Sequence, residues 1–144
     1  MHFASVRIIT DDLDRLVAFY ERITGTEAER SAPVFAELVL EGGTIAIGDS
    51  QTVPLFGPGA AHAADNHTVI IELQVDDVDA EFARLKPQID SWVQEPTTLP
   101  WGNRSILFRD PDGNLVNFYA PVTDDAKSRF EGRAPAYPQG SNLA

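Results

Sequence analysis

The chain has 144 residues, which is enough for one domain with a hydrophobic core and too short for two independent ones. Its net charge of −11 argues against nucleic acid or an anionic membrane as a partner. Without cysteine it can form no disulfide, thiolate zinc site or cysteine nucleophile. Residues 1–10 lack the features of a signal peptide, and no apolar run could span a bilayer, so a cytoplasmic protein is expected.

The first predicted elements are a strand and a helix. A β-branched run over residues 6–10 predicts the strand, and Asp12 is expected to cap the helix that comes after it. Gly25 is expected to end this helix. The helix has one apolar face, formed by residues at helical spacing: Leu13, Val17 and Tyr20.

Three further strands are predicted after this helix, at 27–32, 33–41 and 43–48. The second and third of them are joined by a hairpin turn at Glu41-Gly42-Gly43. Residues 49–66 are rich in Pro, Gly and Ala, and this composition predicts a linker.

The second half of the chain repeats the first at a constant offset. Residues 71–79 resemble residues 6–14, and Asp77 is the equivalent helix cap. The apolar helix face recurs in Val78, Phe82 and Leu85. Three strands are then predicted, with a tight turn before the last one at Asp110-Pro111-Asp112-Gly113-Asn114: 91–96, 102–109 and 114–120.

Each half therefore has the pattern βαβββ, and the sequence predicts one α+β domain over residues 1–121. Its modules are residues 1–48 and 67–121, joined by the linker 49–66. Residues 122–144 contain Pro, Gly and Ser with little periodicity. They are expected to form a C-terminal tail that lies on the surface or on a partner.

Two motifs within these elements are specific. One is the opening Val6-Arg7-Ile8-Ile9-Thr10-Asp11-Asp12-Leu13, and the other is the ending Phe108-Arg109-Asp110-Pro111-Asp112-Gly113-Asn114-Leu115-Val116-Asn117-Phe118-Tyr119. Together with the repeat, they resemble the vicinal oxygen chelate superfamily of glyoxalases, bleomycin resistance proteins and extradiol dioxygenases. The resemblance implies two βαβββ modules whose mixed sheets curl into a half-open cup, in a homodimer with paired or swapped modules.

The resemblance also implies four positions for metal ligands, because metal-using members take His, Gln or Glu from the first and last strand of each module. Three of these positions hold Ser5, Ile70 and Asn117. The fourth, on the last strand of the first module, holds Ile47, or Ala46 if the register of that strand slips by one residue. Hydroxyl, amide and aliphatic groups do not hold a divalent cation tightly. The sequence therefore predicts a protein that uses no metal and no other cofactor.

Strand alternation predicts which other side chains face the cup. Arg7 and Glu72 take equivalent places in the two halves, so they are expected to pair or to bind opposite ends of a polar ligand. Glu72 is also the best candidate for a general base. The alternative is that the two charges form a purely structural ion pair, or that one of them is a lone charge at the rim of the cup.

Further ligand-binding residues are predicted around this pair, because an apolar cup with aromatic, guanidinium and amide groups suits a planar or amphipathic small molecule. The aromatic candidates have an alternative role in completing the core or a dimer contact. The complete set of additional candidates, with Phe56 as a lid, is Ser5, Ile47, Phe56, Ile70, Trp101, Arg104, Asn117 and Tyr119.

The leading interpretation is a metal-free protein that binds a small molecule reversibly, sequestering a drug or natural product as bleomycin resistance proteins do. The ligand is expected to be cationic or aromatic, the first because the chain is acidic. One alternative is an enzyme, either a metal-independent isomerase, lyase or epimerase or a metal-dependent lyase or dioxygenase whose ligands lie elsewhere. Another is a regulatory module whose cleft is filled by its own tail.

Overall fold

The computed structural model describes residues 1–131 and 133. They fall into two compact units, one ending at Ala63 and the other beginning at Ala64. Each unit contains a βαβββ motif whose four strands form one mixed sheet, with the first strand parallel to the fourth. The predicted α+β fold with two βαβββ modules is therefore confirmed.

The two units share the order of their elements and differ in the helix that comes after the last strand. In the first unit this is a 3-10 helix (Ser50–Leu55), inside the predicted linker. The first unit contains β1 (Ser5–Thr10), α1 (Leu13–Thr24), β2 (Glu29–Ala32), β3 (Phe35–Leu40) and β4 (Gly43–Asp49). The second contains β5 (Ile70–Gln74), α2 (Val78–Leu85), β6 (Trp92–Thr98), β7 (Asn103–Arg109), β8 (Leu115–Pro121) and α3 (Asp124–Phe130).

The predicted helix caps are present in both units. The side chain of Asp12 accepts a hydrogen bond from the backbone N–H of Arg15, and that of Asp77 accepts one from Ala80. Gly25 ends α1 in the left-handed conformation, at φ 69°. Such caps fix where each helix begins, and so fix which of its faces packs against the sheet.

The two predicted turns are also present, and they differ in length. Leu40 pairs with Gly43, so only two residues connect β3 to β4. In the second unit Arg109 pairs with Leu115, which leaves five residues in the turn. There Asp110 Oδ1 accepts hydrogen bonds from the backbone N–H groups of residues 112 and 114.

The core of the second unit contains a row of aromatic rings in edge-to-face contact. Phe82 of α2 contacts Trp92 of β6, and Trp92 contacts Phe108 of β7, at centroid distances of 4.8 and 5.4 Å. The row ends at Phe118 of β8, 5.3 Å from Phe108. Since α2 packs against this side of the sheet, the opposite side is the one available for a site.

The segment after β8 differs from the expected tail, because residues 124–130 form the helix α3. The side chain of Thr123 caps it by accepting a hydrogen bond from the backbone N–H of Ala126, and Ala126 is fully buried. Residues 132 and 134–144 of the predicted tail lie outside the described residues. Within the described part of the chain, no helix is long and apolar enough to cross a membrane.

Candidate functional site

The first sheet has one covered face and one open face. Helix α1 packs against β3 and β4 on the face where Ile8 and Ile47 are buried. The open face carries the alternate residues, because neighbours along a strand project to opposite sides. On it Arg7 of β1 lies beside Ala46 of β4, and Ala46 lies beside Glu37 of β3.

The guanidinium of Arg7 lies against two aromatic rings on this open face. Its Cζ is 4.7 Å from the ring centroid of Phe35 and 5.2 Å from that of Phe56. Both distances are within the range of a cation–π interaction. Phe56, predicted as a lid, comes directly after the 3-10 helix, and Asp49 caps that helix by accepting a hydrogen bond from the backbone N–H of Gln51. The strand and the capped helix therefore hold both rings close to the guanidinium.

A small cavity of about 280 Å³, largely open to solvent, lies beside this arginine. Apart from Arg7, its lining is aliphatic and aromatic and comes from β1, the 3-10 helix and the loop after it: Ile9, Val53, Phe56, Ala60 and Ala61. Gly48 leaves room on the sheet side, since a Cβ there would lie 3.5 Å from Ile9 Cδ1 and 4.0 Å from Arg7 Cδ. One charged group beside an apolar surface can orient a small molecule that packs on that surface.

The open face of the second sheet carries a carboxylate in the equivalent row. Glu72 of β5 pairs in register with Asn117 of β8, and Asn117 Nδ2 donates a hydrogen bond of 2.7 Å to Glu72 Oε2. Asn117 is buried, and its Oδ1 has no hydrogen-bond partner within the described residues. The amide therefore fixes the orientation of a carboxylate that is itself exposed.

Tyr119 lies next to this pair along β8, and α3 partly covers it. The ring of Phe130 lies 5.9 Å from the ring of Tyr119. Burial raises the pKa of the Tyr119 phenol, the negative charge of Glu72 raises it further, and the positive charge of Arg133 opposes the shift. The phenol therefore stays protonated at neutral pH and can donate a hydrogen bond.

Replacing Phe130, which partly covers the Tyr119 phenol, tests why the pKa of this phenol is raised. Phe130→Ala is expected to lower the pKa of Tyr119 toward 10.0, because the phenol regains contact with water, and Glu72→Gln should lower it as well. Folding raises the pKa of Tyr119, so the protonated phenol favours the folded state. This contribution to stability is complete below the pKa of the phenol in the unfolded chain, and it is lost as the pH rises through the pKa of the phenol in the folded protein. Carbon NMR of Tyr119 Cζ in an alkaline titration measures the change. An unchanged pKa in both variants would contradict these causes.

Two predicted site residues are on the wrong side of their sheets. Ile47 is fully buried and pairs with Ile8 on the helix-covered face, so Ala46 takes the place predicted for it. Arg104 also projects to the helix-covered side, where its Nε and Nη2 donate hydrogen bonds of 2.6 and 2.8 Å to the two carboxylate oxygens of Asp79. The hydrogen bond from Arg104 holds the pKa of Asp79 below its usual value, so this arginine serves α2 rather than a ligand.

The structure places three other predicted site residues at exposed positions, two on strands and one in a turn. Ser5 and Ile70 are exposed at the start of the two parallel strand pairs, opposite Thr44 and Leu115. Trp101 is exposed in the turn between β6 and β7, and its carbonyl accepts a hydrogen bond from Arg129 of α3. Arg7 and Glu72 belong to different units, so their pairing stays a prediction.

The sequence prediction missed Phe35 and Phe130, the rings beside Arg7 and Tyr119. Phe35 could have been found by extending strand alternation to β3, where it falls on the side opposite Ala36. Phe130 could have been found from the cap Thr123 and the helical spacing of Ala126 and Phe130.

The residues at the positions of the family's metal ligands do not fit a metal ion. The described residues contain no group of three or more His, Cys, Asp or Glu side chains that could hold one. In the first unit these positions hold Ser5 and Ala46, and the face carries the cation of Arg7. In the second unit they hold Ile70 and Asn117, and the amide of Asn117 already donates to Glu72. A divalent cation needs more carboxylate or imidazole ligands than this set supplies.

A duplicated βαβββ fold with an open face on each sheet is the architecture of one large protein class. The chain belongs to the Glyoxalase/Bleomycin resistance protein/Dioxygenase superfamily, whose sequence model matches residues 2–118. We found no curated protein that matches the chain.

Solved structures of that class share the fold. A glyoxalase/bleomycin resistance protein/dioxygenase from Nocardioides is 24% identical, with 96% of this chain and 89% of that one covered and a TM-score of 0.71. A family enzyme from Burkholderia phytofirmans PsJN is 16% identical, with 85% and 100% covered and a TM-score of 0.75. A lactoylglutathione lyase from Agrobacterium tumefaciens is 22% identical, with 82% and 92% covered and a TM-score of 0.63. Identities this low support the fold and leave the activity open.

Proposed function

We propose that this protein binds a small molecule reversibly, without a metal ion, on the open face of its first unit. The observation that carries the proposal is the contact of Arg7 with Phe35 and Phe56 at the edge of an apolar cavity. Aromatic rings supply a large contact area, and the arginine supplies one directional polar group, which together orient a ligand. Sequestration of a drug or natural product is the biological role that fits such binding.

The supporting walls of the cavity are held in place by the fold. Arg7 and Ile9 lie on a strand of the sheet, and Val53 is buried in the 3-10 helix. Thr52 Oγ1 donates a hydrogen bond of 2.7 Å to the carbonyl of Asp49, which ties that helix to the end of β4. The part of the site that lies on these ordered elements loses little conformational entropy when a ligand binds.

A blocking variant tests where the ligand binds. Ala60→Trp places an indole in the cavity from an exposed loop position, so it is expected to abolish binding without destabilising the core. Ala18→Trp introduces the same side chain at an exposed position on α1 and serves as the matched control. The measurement is backbone-amide NMR of the full chain against a library of aromatic fragments. Shift changes that persist in Ala60→Trp, or that avoid Arg7 and Val53, would contradict the proposal.

A second candidate function is metal-independent proton transfer, as in an isomerase, lyase or epimerase. It is favoured by the exposed carboxylate of Glu72, which Asn117 holds in one orientation beside the phenol of Tyr119. A carboxylate can remove a proton while a neighbouring phenol donates one. If a fragment from the NMR library exchanges carbon-bound hydrogen in D₂O and Glu72→Gln abolishes the exchange, this function replaces simple binding.

We also propose that the protein forms a homodimer and that it is located in the cytoplasm.

A further inference from the structure

We propose that the ligand of the first unit carries an anionic group, a carboxylate on a planar aromatic body, and that Arg7 is its charge partner. This inference rests on the proposed function and assigns the chemical class of the ligand. It replaces the cationic ligand that the acidic composition favours.

Arg7 forms no ion pair within residues 1–63. In residues 1–63, Arg15 pairs with Asp12 at 3.9 Å and Arg30 pairs with Asp14 at 2.8 Å, whereas no carboxylate of the unit pairs with Arg7. The chain contains 22 Asp and Glu residues, so carboxylate partners are abundant overall. Arg7 lies at the edge of a cavity and has no such partner within residues 1–63, so we infer that an anionic ligand supplies it.

The hydrogen-bonding groups of this arginine have no partner within residues 1–63. The guanidinium has five N–H donors in a fixed plane, and the two rings that it contacts are not hydrogen-bond acceptors of the oxygen or nitrogen type. No acceptor in residues 1–63 takes a hydrogen bond from Arg7. A planar carboxylate matches two of these donors at once, and such a bidentate pair is stronger than a bond between neutral groups.

The rest of the cavity selects the body of the ligand. Its other lining residues carry no charge, and Phe56 gives it an aromatic wall. A volume of about 280 Å³ suits a small aromatic molecule. An ammonium group placed here would meet the positive charge of Arg7 and no neutralising carboxylate from the lining residues.

Three probes of the same shape test the charge of the ligand. Naphthoate is anionic, naphthamide is neutral and naphthylmethylamine is cationic, and each is titrated into the full chain by calorimetry and NMR. Naphthoate is expected to bind about ten- to a hundredfold more tightly than naphthamide, the range for hydrogen bonds to a charged group. Arg7→Met should remove this preference and keep weak binding of naphthamide. Arg22→Met, which removes a guanidinium stacked on Phe19 of α1, should leave the preference intact.

The possible outcomes separate the ligand class from the site itself. Equal binding of naphthoate and naphthamide in the cavity beside Ala60, or tightest binding of naphthylmethylamine, overturns the anionic ligand and leaves the proposed function standing. A naphthoate preference that survives in Arg7→Met overturns the role of Arg7. No binding of any probe at millimolar concentration overturns both proposals. The amide spectrum of Arg7→Met establishes that the variant is folded.

Discussion

Phe108→Ala is expected to lower the free energy of unfolding by about 3–5 kcal/mol, the usual cost of removing a fully buried phenylalanine. Phe108 is 0% exposed and contacts both Trp92 and Phe118 edge to face. Its loss leaves a cavity between α2 and the second sheet, and both ring contacts disappear. Urea denaturation followed by tryptophan fluorescence measures the change.

Phe82→Ala is the matched control, because Phe82 belongs to the same aromatic row. It is only half-buried and contacts Trp92 alone among the rings of the row. Its replacement is expected to cost at most about 2 kcal/mol, since less apolar area is lost. Equal costs at the two positions would contradict the placement of the core at Phe108.

Gly102→Ala is expected to release α3 from the second unit and to cost about 2–4 kcal/mol, through backbone strain and overpacking together. Gly102 has a φ of 90°, which is unfavourable for any residue with a Cβ. An added Cβ would overlap Thr123 Oγ1, the cap of α3, and would lie 2.9 Å from Ala126 Cβ. Amide hydrogen exchange within α3 detects the release directly, and the NMR pKa of Tyr119 should fall with it.

The variant Gly113→Ala separates the cost of backbone strain at a positive φ from the cost of steric overlap with α3. Gly113 has a similar φ of 84°, and a Cβ there would meet nothing within 4 Å. This variant is expected to cost about 1 kcal/mol and to leave exchange in α3 unchanged. The same rapid exchange in both variants would mean that α3 does not depend on close packing against Gly102.

Features that depend on local chemistry could be predicted from the sequence. The caps at Asp12 and Asp77, the left-handed Gly25 and the two turns are each set by residues within a few positions of one another. The repeat puts Arg7 and Glu72 on equivalent strands, and strand alternation puts each of them on the open face of its sheet. These local rules are enough to predict the βαβββ repeat, whereas the resemblance to the family depends on the opening and ending motifs.

Features that depend on register between strands could not be predicted reliably. The turn before β4 has two residues and the turn before β8 has five, so superposing the turns shifts the comparison by an odd number of positions. An odd shift moves a side chain to the other face of the sheet, so superposing the turns puts Ile47 in the predicted position and a one-residue slip puts Ala46 there. Arg104 depends on a partner, Asp79, from another element, which no local pattern in β7 reveals.

In the proposed function, the open face of the first unit has a different chemistry from that of a metal site. Where a metal site would concentrate carboxylates and imidazoles, this face carries Ser5, Ala46 and the cation of Arg7. A bound anion would therefore meet a fixed positive charge on the protein itself. In this proposal Arg7 supplies the positive charge that metal-using relatives obtain from an ion.

Metal dependence of ligand binding tests this account most directly. The chain is treated with a chelator, its metal content is measured by mass spectrometry, and its affinity for naphthoate is determined before and after zinc, manganese or nickel is added. The account predicts no stoichiometric metal and the same affinity under all conditions, with binding lost only in Arg7→Met. One metal ion per chain, with binding abolished by the chelator and restored by the metal, would contradict it.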